Sequence, residues 1–153
     1  MTMLEVRNLH VQYGDYVILE DVSFDVEEGQ WLMIAGPNGA GKSTIVNSIS
    51  GGAPYKGKVL CMGRDIRGFK PRELAGQIGV LAQKNAVGYS FTAREVIRLG
   101  RYAYSRGVFG GQDPDCESSV EQALHLTGLS EFADKSVLKL SGGELQRVFL
   151  AQL

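Results

Sequence analysis

The chain has 153 residues, 44% of them hydrophobic, the size and composition of one globular domain. Its 16 Lys and Arg against 17 Asp and Glu leave a net charge of −1, with no basic block or aromatic–basic alternation to suggest nucleic acid. The longest apolar runs, about six residues, fall far short of the roughly 20 needed to span a bilayer, and Met1-Thr2-Met3-Leu4-Glu5 lacks the basic and apolar regions of a signal peptide.

In chain order, Leu4-Val6 and Val22-Phe24-Val26 alternate with period two and, with Lys58-Val59-Leu60-Cys61, predict an antiparallel β-subdomain. Trp31-Leu32-Met33-Ile34-Ala35 is a short apolar run of the type that forms a strand buried on both faces. A helix is expected over 42–50. Arg64, Arg67, Lys70 and Arg72 form a small cluster that reads as a solvated face, and a second buried strand is expected at 78–82, ending at Gln83. Thr92-Ala93-Arg94-Glu95 is a capping box that opens a helix through about Leu99. Gly107 to Gly111 is a turn region. Asp113-Pro114 reads as N-cap and first residue of a helix with Val120, Ala123, Leu124 and Thr127 on one face, ended by Gly128. Cys61 and Cys116 lack C-x-x-C spacing and read as free thiols in a reducing compartment. His10 and His125 stand alone, and ordinary packing explains both.

Between the run at 31–35 and the helix at 42–50 lies Gly36-Pro37-Asn38-Gly39-Ala40-Gly41-Lys42-Ser43-Thr44, which fits G-x-x-x-x-G-K-[ST] at every fixed position. The glycines permit positive φ and close backbone approach, so consecutive N–H groups can converge on phosphate oxygens. The helix N-terminus adds unpaired donors and a partial positive charge. Lys42 would reach the β- and γ-phosphates, and Ser43 would offer its hydroxyl to Mg²⁺. A plain Gly-rich turn does not call for the Lys-Ser pair at this offset. A dinucleotide site would need G-x-G-x-x-G instead. The loop therefore reads as a nucleoside triphosphate site.

A second motif, Leu140-Ser141-Gly142-Gly143-Glu144-Leu145-Gln146-Arg147, has two readings. Ser141 and Glu144 form a capping box ahead of an apolar stripe at Leu145, Val148, Phe149 and Gln152/Leu153. Two glycines in the first turn cost about 1 kcal/mol each relative to Ala, however, and bare N–H groups at a helix N-terminus are what an anion needs. The cap can orient an anion site, so both readings can hold.

With both motifs at this spacing, nearly the whole chain resembles the ABC ATPases. The resemblance implies a P-loop NTPase (RecA-like) α/β core, an antiparallel β-subdomain and an inserted helical subdomain at approximately 84–150, all within one nucleotide-binding domain over 1–153. It also implies that ATP with Mg²⁺ is sandwiched between two subunits paired head to tail, with Ser141 and Gly143 contacting the γ-phosphate held by the partner's loop. Tyr13 matches the aromatic that stacks on adenine, with Tyr16 a weaker substitute; an isolated Tyr is otherwise a packing residue. Gln83 matches the glutamine that touches Mg²⁺ and the attacking water. Many relatives place Pro before it, where this chain has Ala82.

The helical pattern reaches Leu153 without a C-cap signal, and the family's Mg²⁺-binding Asp, catalytic Glu and switch His are not present. The expectation is an N-terminal portion of a longer ATPase, inactive by itself and truncated after the signature helix. Such a subunit would sit on the cytoplasmic face of a membrane, bound to a transmembrane permease and served indirectly by an external substrate-binding protein. Val96-Ile97-Arg98-Leu99-Gly100-Arg101, the Gly-rich turn and Asp113 look like the iron-siderophore, haem and cobalamin importers. The alternative is a soluble ABC-type ATPase acting on ribosomes or nucleic acid.

Overall fold

The computed structural model describes residues 1–82, 90–101 and 115–153. They form two compact units, Met1–Ile78 and Gly79–Leu153.

The first unit is built on a four-stranded antiparallel sheet in the order β2-β1-β3-β4, from β1 (Thr2–Tyr13), β2 (Tyr16–Glu27), β3 (Lys56–Cys61) and β4 (Arg64–Asp65). Strand β1 lies between β2 and β3, pairing Val6 with Phe24 on one side and with Val59 on the other. Its buried residues are Val6, Leu9 and Val11, which breaks period two between the first and second. A bulge absorbs the extra residue. Asn8 sits there at φ 48°, its backbone N–H donating to Ser23 Oγ at 2.8 Å. Gly57 of β3, at φ 95°, passes so close to the carbonyls of Arg7 and Asn8 that a side chain would collide with them. These buried residues join Leu19, Ile45, Val59, Cys61, Ile66 and Leu74 in one core, to which each buried aliphatic side chain contributes roughly 1.5–3 kcal/mol.

Helix α1 (Lys42–Ile49) supplies Ile45 to that core and ends in a glycine cap. Gly51 takes φ 76°, its N–H donates to Ser48 O, and the Gly52 N–H reaches back to Asn47 O. The cluster at 64–72 is more structured than a solvated face. Arg64 stacks on Phe69 at 4.0 Å, Arg67 pairs with Asp65 at 2.9 Å, and a short helix α2 (Pro71–Ala75) follows.

Two expected strands do not form. Residues 31–35 and 78–82 have no ladder partner among the described residues, and a strand exists only through its ladder. Trp31 is accordingly 99% exposed and Met33 87%.

The second unit packs α3 (Ala93–Gly100), α4 (Cys116–Leu126) and α5 (Gly142–Gln152) around Val96, Ile97, Val120, Leu124, Leu129, Val137 and Val148. The expected capping box opens α3: Thr92 Oγ1 accepts the Glu95 N–H at 3.2 Å, and Glu95 Oε2 accepts the Thr92 N–H at 2.7 Å. Helix α4 begins at Cys116; the cap expected at Asp113-Pro114, and the turn at 107–111, lie outside the described residues. Its end is as expected. Gly128 is left-handed at φ 64°, its N–H donates to His125 O, and the Leu129 N–H donates to Leu124 O at 2.8 Å. The Arg94 side chain on α3 ties α4 down through Glu117 and Glu121. Gly100 allows α3 to meet the α5 backbone at Gln152, where no Cβ would fit.

Candidate nucleotide-binding site

The loop at 36–44 wraps the N-terminus of α1. Gly41 is its N-cap, left-handed at φ 83°, and a Cβ there would lie 2.6 Å from Leu19 Cδ2 and 3.2 Å from the Ile18 carbonyl on β2. Both the dihedral and the space therefore require glycine. Gly39, at φ 85°, needs it for the dihedral alone. Ala40 N–H closes a turn onto Pro37 O at 3.3 Å, and Ile45 N–H takes Gly41 O at 3.0 Å. Among the described residues, the N–H groups of Gly39, Gly41, Lys42, Ser43 and Thr44 find no backbone acceptor. No side chain caps α1, and its first turn holds no acidic residue. Unspent donors at a helix N-terminus free of carboxylates make a cradle for an anion.

The Lys42 ammonium folds back across this loop, donating to the carbonyls of Gly36 and Pro37 at 2.7 Å each. An ammonium has three N–H groups, so the two carbonyl bonds orient the cation and leave capacity for a ligand oxygen. Ser43 is exposed and Thr44 half-buried at the start of the helix. These residues fit a triphosphate: backbone donors, one aimed cation and a hydroxyl, with no competing negative charge.

Tyr13 belongs to the same unit. It closes the β1–β2 hairpin opposite Tyr16, and both rings are open to solvent, at 49% and 79% exposure. The hairpin strand β2 carries Ile18 and Leu19, the two residues against Gly41, so loop and hairpin share one scaffold. Gln83 lies outside the described residues.

In the second unit, Ser141 caps α5 through a complete capping box. Glu144 Oε2 accepts the Ser141 N–H at 2.6 Å and its hydroxyl at 2.8 Å, and Ser141 Oγ accepts the Glu144 N–H at 3.4 Å. These bonds hold the Glu144 carboxyl below the usual carboxylate range, the Ser141 N–H bond contributing most. Helix α3 opens with the same box, and its first two N–H groups, on Ala93 and Arg94, are spent on Lys135 O and Ala133 O. The corresponding groups on Gly142 and Gly143 have no acceptor among the described residues. A Cβ on either glycine would touch nothing within 4 Å, and neither has positive φ. Nothing among the described residues requires glycine at these two positions. Arg147, one turn on, caps the end of α4 by donating to Thr127 O at 3.1 Å, a structural contact that sequence reading missed.

The sequence profile described as ABC transporter matches residues 19–153, spanning both the loop and the α5 turn. The chain belongs to the ABC transporter family. It is 41% identical over 150 residues to the uncharacterized ABC transporter ATP-binding protein YvrA of Bacillus subtilis, covering 97% of this chain and 34% of that protein. It is 38% identical over 152 residues to the hemin import ATP-binding protein HmuV of Pseudomonas entomophila, covering 99% of this chain and 58% of the relative. The chain thus spans from about a third to under three fifths of these relatives' length. Among solved structures, a nucleotide-free ATP-binding cassette from an ABC transporter superposes with a TM-score of 0.81 at 29% identity, covering 99% of this chain and 64% of that one. The family fold, a P-loop NTPase core of mixed α/β type, accounts for the loop geometry.

Proposed function

We propose that this chain is the nucleotide-binding part of an ATPase subunit that powers import of haem or a similar metal chelate through a membrane permease. The observation that carries the proposal is the loop at 36–44, in which unspent backbone donors and an oriented Lys42 surround the N-terminus of α1. The likeness to hemin import proteins over 99% of the chain supports the substrate class.

In this reading Gly36 to Thr44 wrap the phosphates, Lys42 neutralises charge between the β- and γ-phosphates, and Tyr13 stacks on the base. Mg²⁺ bound with the nucleotide would be held by Ser43 and Gln83 and would offset negative charge on the phosphates. Ser141 and Gly143 serve the partner's nucleotide in a head-to-tail pair of subunits, which supplies a reason for the two glycines of α5 where the described residues offer none. One nucleotide-binding domain over 1–153, with its helical part at approximately 84–150, would carry these roles. The pair would work on the cytoplasmic face of the membrane with its permease, and an external binding protein would deliver substrate.

Lys42→Ala tests the loop assignment. Charge-assisted bonds are about twice as strong as neutral ones, so the variant should lose tight ATP binding in an equilibrium titration while melting like wild type. Unchanged affinity would remove the basis of the assignment. For the substrate class, haem loaded on the binding protein should stimulate ATP turnover in vesicles holding the whole transporter; stimulation by an unrelated solute instead would redirect it.

A further inference from the structure

The dipeptide Asn-Gly occurs once in the chain, at Asn38–Gly39 in the loop that surrounds the phosphate position. It is prone to rearrange, because glycine puts no side chain in the way of its own nitrogen. Asn38 is exposed, and among the described residues its amide makes no hydrogen bond. The Gly39 N–H also lacks an acceptor there, and nothing lies within 4 Å of the place a Gly39 Cβ would take. One backbone bond, Ala40 N–H to Pro37 O at 3.3 Å, closes the turn that carries both residues.

The other asparagines among the described residues are held. Asn8 donates its side-chain amide to Asp21 Oδ1 and precedes Leu9, which is fully buried. Asn47 lies inside α1, where the helix ladder spends the N–H that follows it. Asn38 has neither restraint, and its surroundings favour attack at its side chain. The N-terminus of α1, free of acidic residues, and the Lys42 ammonium on Pro37 O both favour negative charge on this loop. Loss of the Gly39 amide proton and the oxyanion formed at Asn38 Cγ each place negative charge there.

We propose that Asn38–Gly39 is a site of spontaneous modification, open in the empty loop and protected by bound nucleotide. The deprotonated Gly39 nitrogen attacks Asn38 Cγ. The N–Cγ bond forms, the Cγ–Nδ2 bond breaks, and ammonia leaves with the proton that the nitrogen gave up. Water then opens the five-membered imide at either carbonyl, giving aspartate or isoaspartate. Either product sets a carboxylate beside donors that otherwise meet none, and isoaspartate also lengthens the loop backbone by a carbon. A bound triphosphate stops the first step, because it holds the Gly39 N–H and fixes the peptide that must swing toward Cγ. This rests on the triphosphate reading above.

The full protein is incubated at mildly alkaline pH, with and without ATPγS and Mg²⁺. Peptides covering 36–44 are read by mass spectrometry, with fragmentation to separate aspartate from isoaspartate, and ATPγS affinity is titrated before and after. Fresh wild type should bind ATPγS, lose the Asn38 amide when empty, and keep Asn8 and Asn47 intact. ATPγS should slow the loss severalfold. The affinity of aged protein should fall in step with conversion. Fresh Asn38→Asp should bind about fivefold more weakly than fresh wild type, the scale of one exposed like charge. Asn38→Ser cannot close the ring, so it should keep its own fresh affinity through the same incubation, with melts showing that it is folded. An Asn38 amide that survives in the empty protein while a free peptide of residues 36–44 converts would overturn the proposal. Equal conversion with and without ATPγS would do the same, as would parallel loss of affinity in Asn38→Ser, which would trace the ageing to other damage. Each of these outcomes leaves the triphosphate reading intact. Fresh wild type that does not bind ATPγS defeats that reading, and the proposal falls with it.

Discussion

Gly41 and Gly142 each open a helix, and the chain needs them for opposite reasons. At Gly41 the backbone is left-handed and the Leu19 side chain fills the space a Cβ would take. Ala there should cost roughly 1–3 kcal/mol from dihedral strain and should displace the donors that surround the phosphate position. At Gly142 the backbone is helical and the surrounding space is open. Ala at that site should be neutral or stabilise the protein by up to about 1 kcal/mol, while reducing nucleotide-driven association. Urea melts of the two variants therefore should move in opposite directions. A destabilised Gly142→Ala protein would show that the glycine serves the fold, and the argument for an approaching ligand would lose its footing.

The helices of the second unit show what a cap can and cannot disclose. Thr92 and Ser141 open α3 and α5 with the same four-residue pattern and nearly the same hydrogen bonds. Only the next two donors differ: on α3 they go to chain carbonyls, and on α5 they have no acceptor among the described residues. Both glutamates of these boxes sit below the usual carboxylate range, chiefly because the cap backbone N–H groups favour the ionised form. A depressed carboxylate adds stability above the unfolded value of 4.5, and that stability is lost as pH falls through the lower folded value. Melting temperature should hold between neutral pH and about 5, then drop. The paired variant Glu95→Gln with Glu144→Gln should drop less steeply than wild type, since its caps do not titrate. Parallel curves would mean that the boxes contribute nothing. In the same unit Thr92→Ala should cost about 1 kcal/mol, and a chemical-denaturation midpoint unchanged from wild type would contradict the cap.

For the whole molecule, the two apolar runs at 31–35 and 78–82 pose the sharpest test. Trp31 is the chain's one tryptophan and is 99% exposed. Its fluorescence should be solvent-like and quenched by acrylamide almost as readily as free indole. Strong protection from quencher would show that a ladder or a partner covers this run in solution. Apolar runs are ambiguous in this way because hydrophobicity states only that a segment is to be covered, not what covers it.

The loop at 36–44, both capping boxes, the Gly128 terminus and the antiparallel character of the first third were legible in the chain itself. Each depends on residues within a few positions of one another: a glycine allowed at positive φ, a hydroxyl three residues from a carboxylate, an alternation of period two. Other features depend on contacts between distant segments. The bulge that carries β1 from Val6 to Leu9 exists because Gly57, far along the chain, brings β3 against Asn8. Gly100 lies in the stretch that resembled the subfamily, and its close approach to Gln152 gives it a packing role that the sequence alone did not reveal. Arg147, within the signature-like peptide, also closes the end of α4. Local chemistry set the dihedrals, the caps and the turns. Which segments lie against which was decided by tertiary packing, because strand pairing and close backbone approach are properties of two segments at once, and one segment's residues specify only half of each.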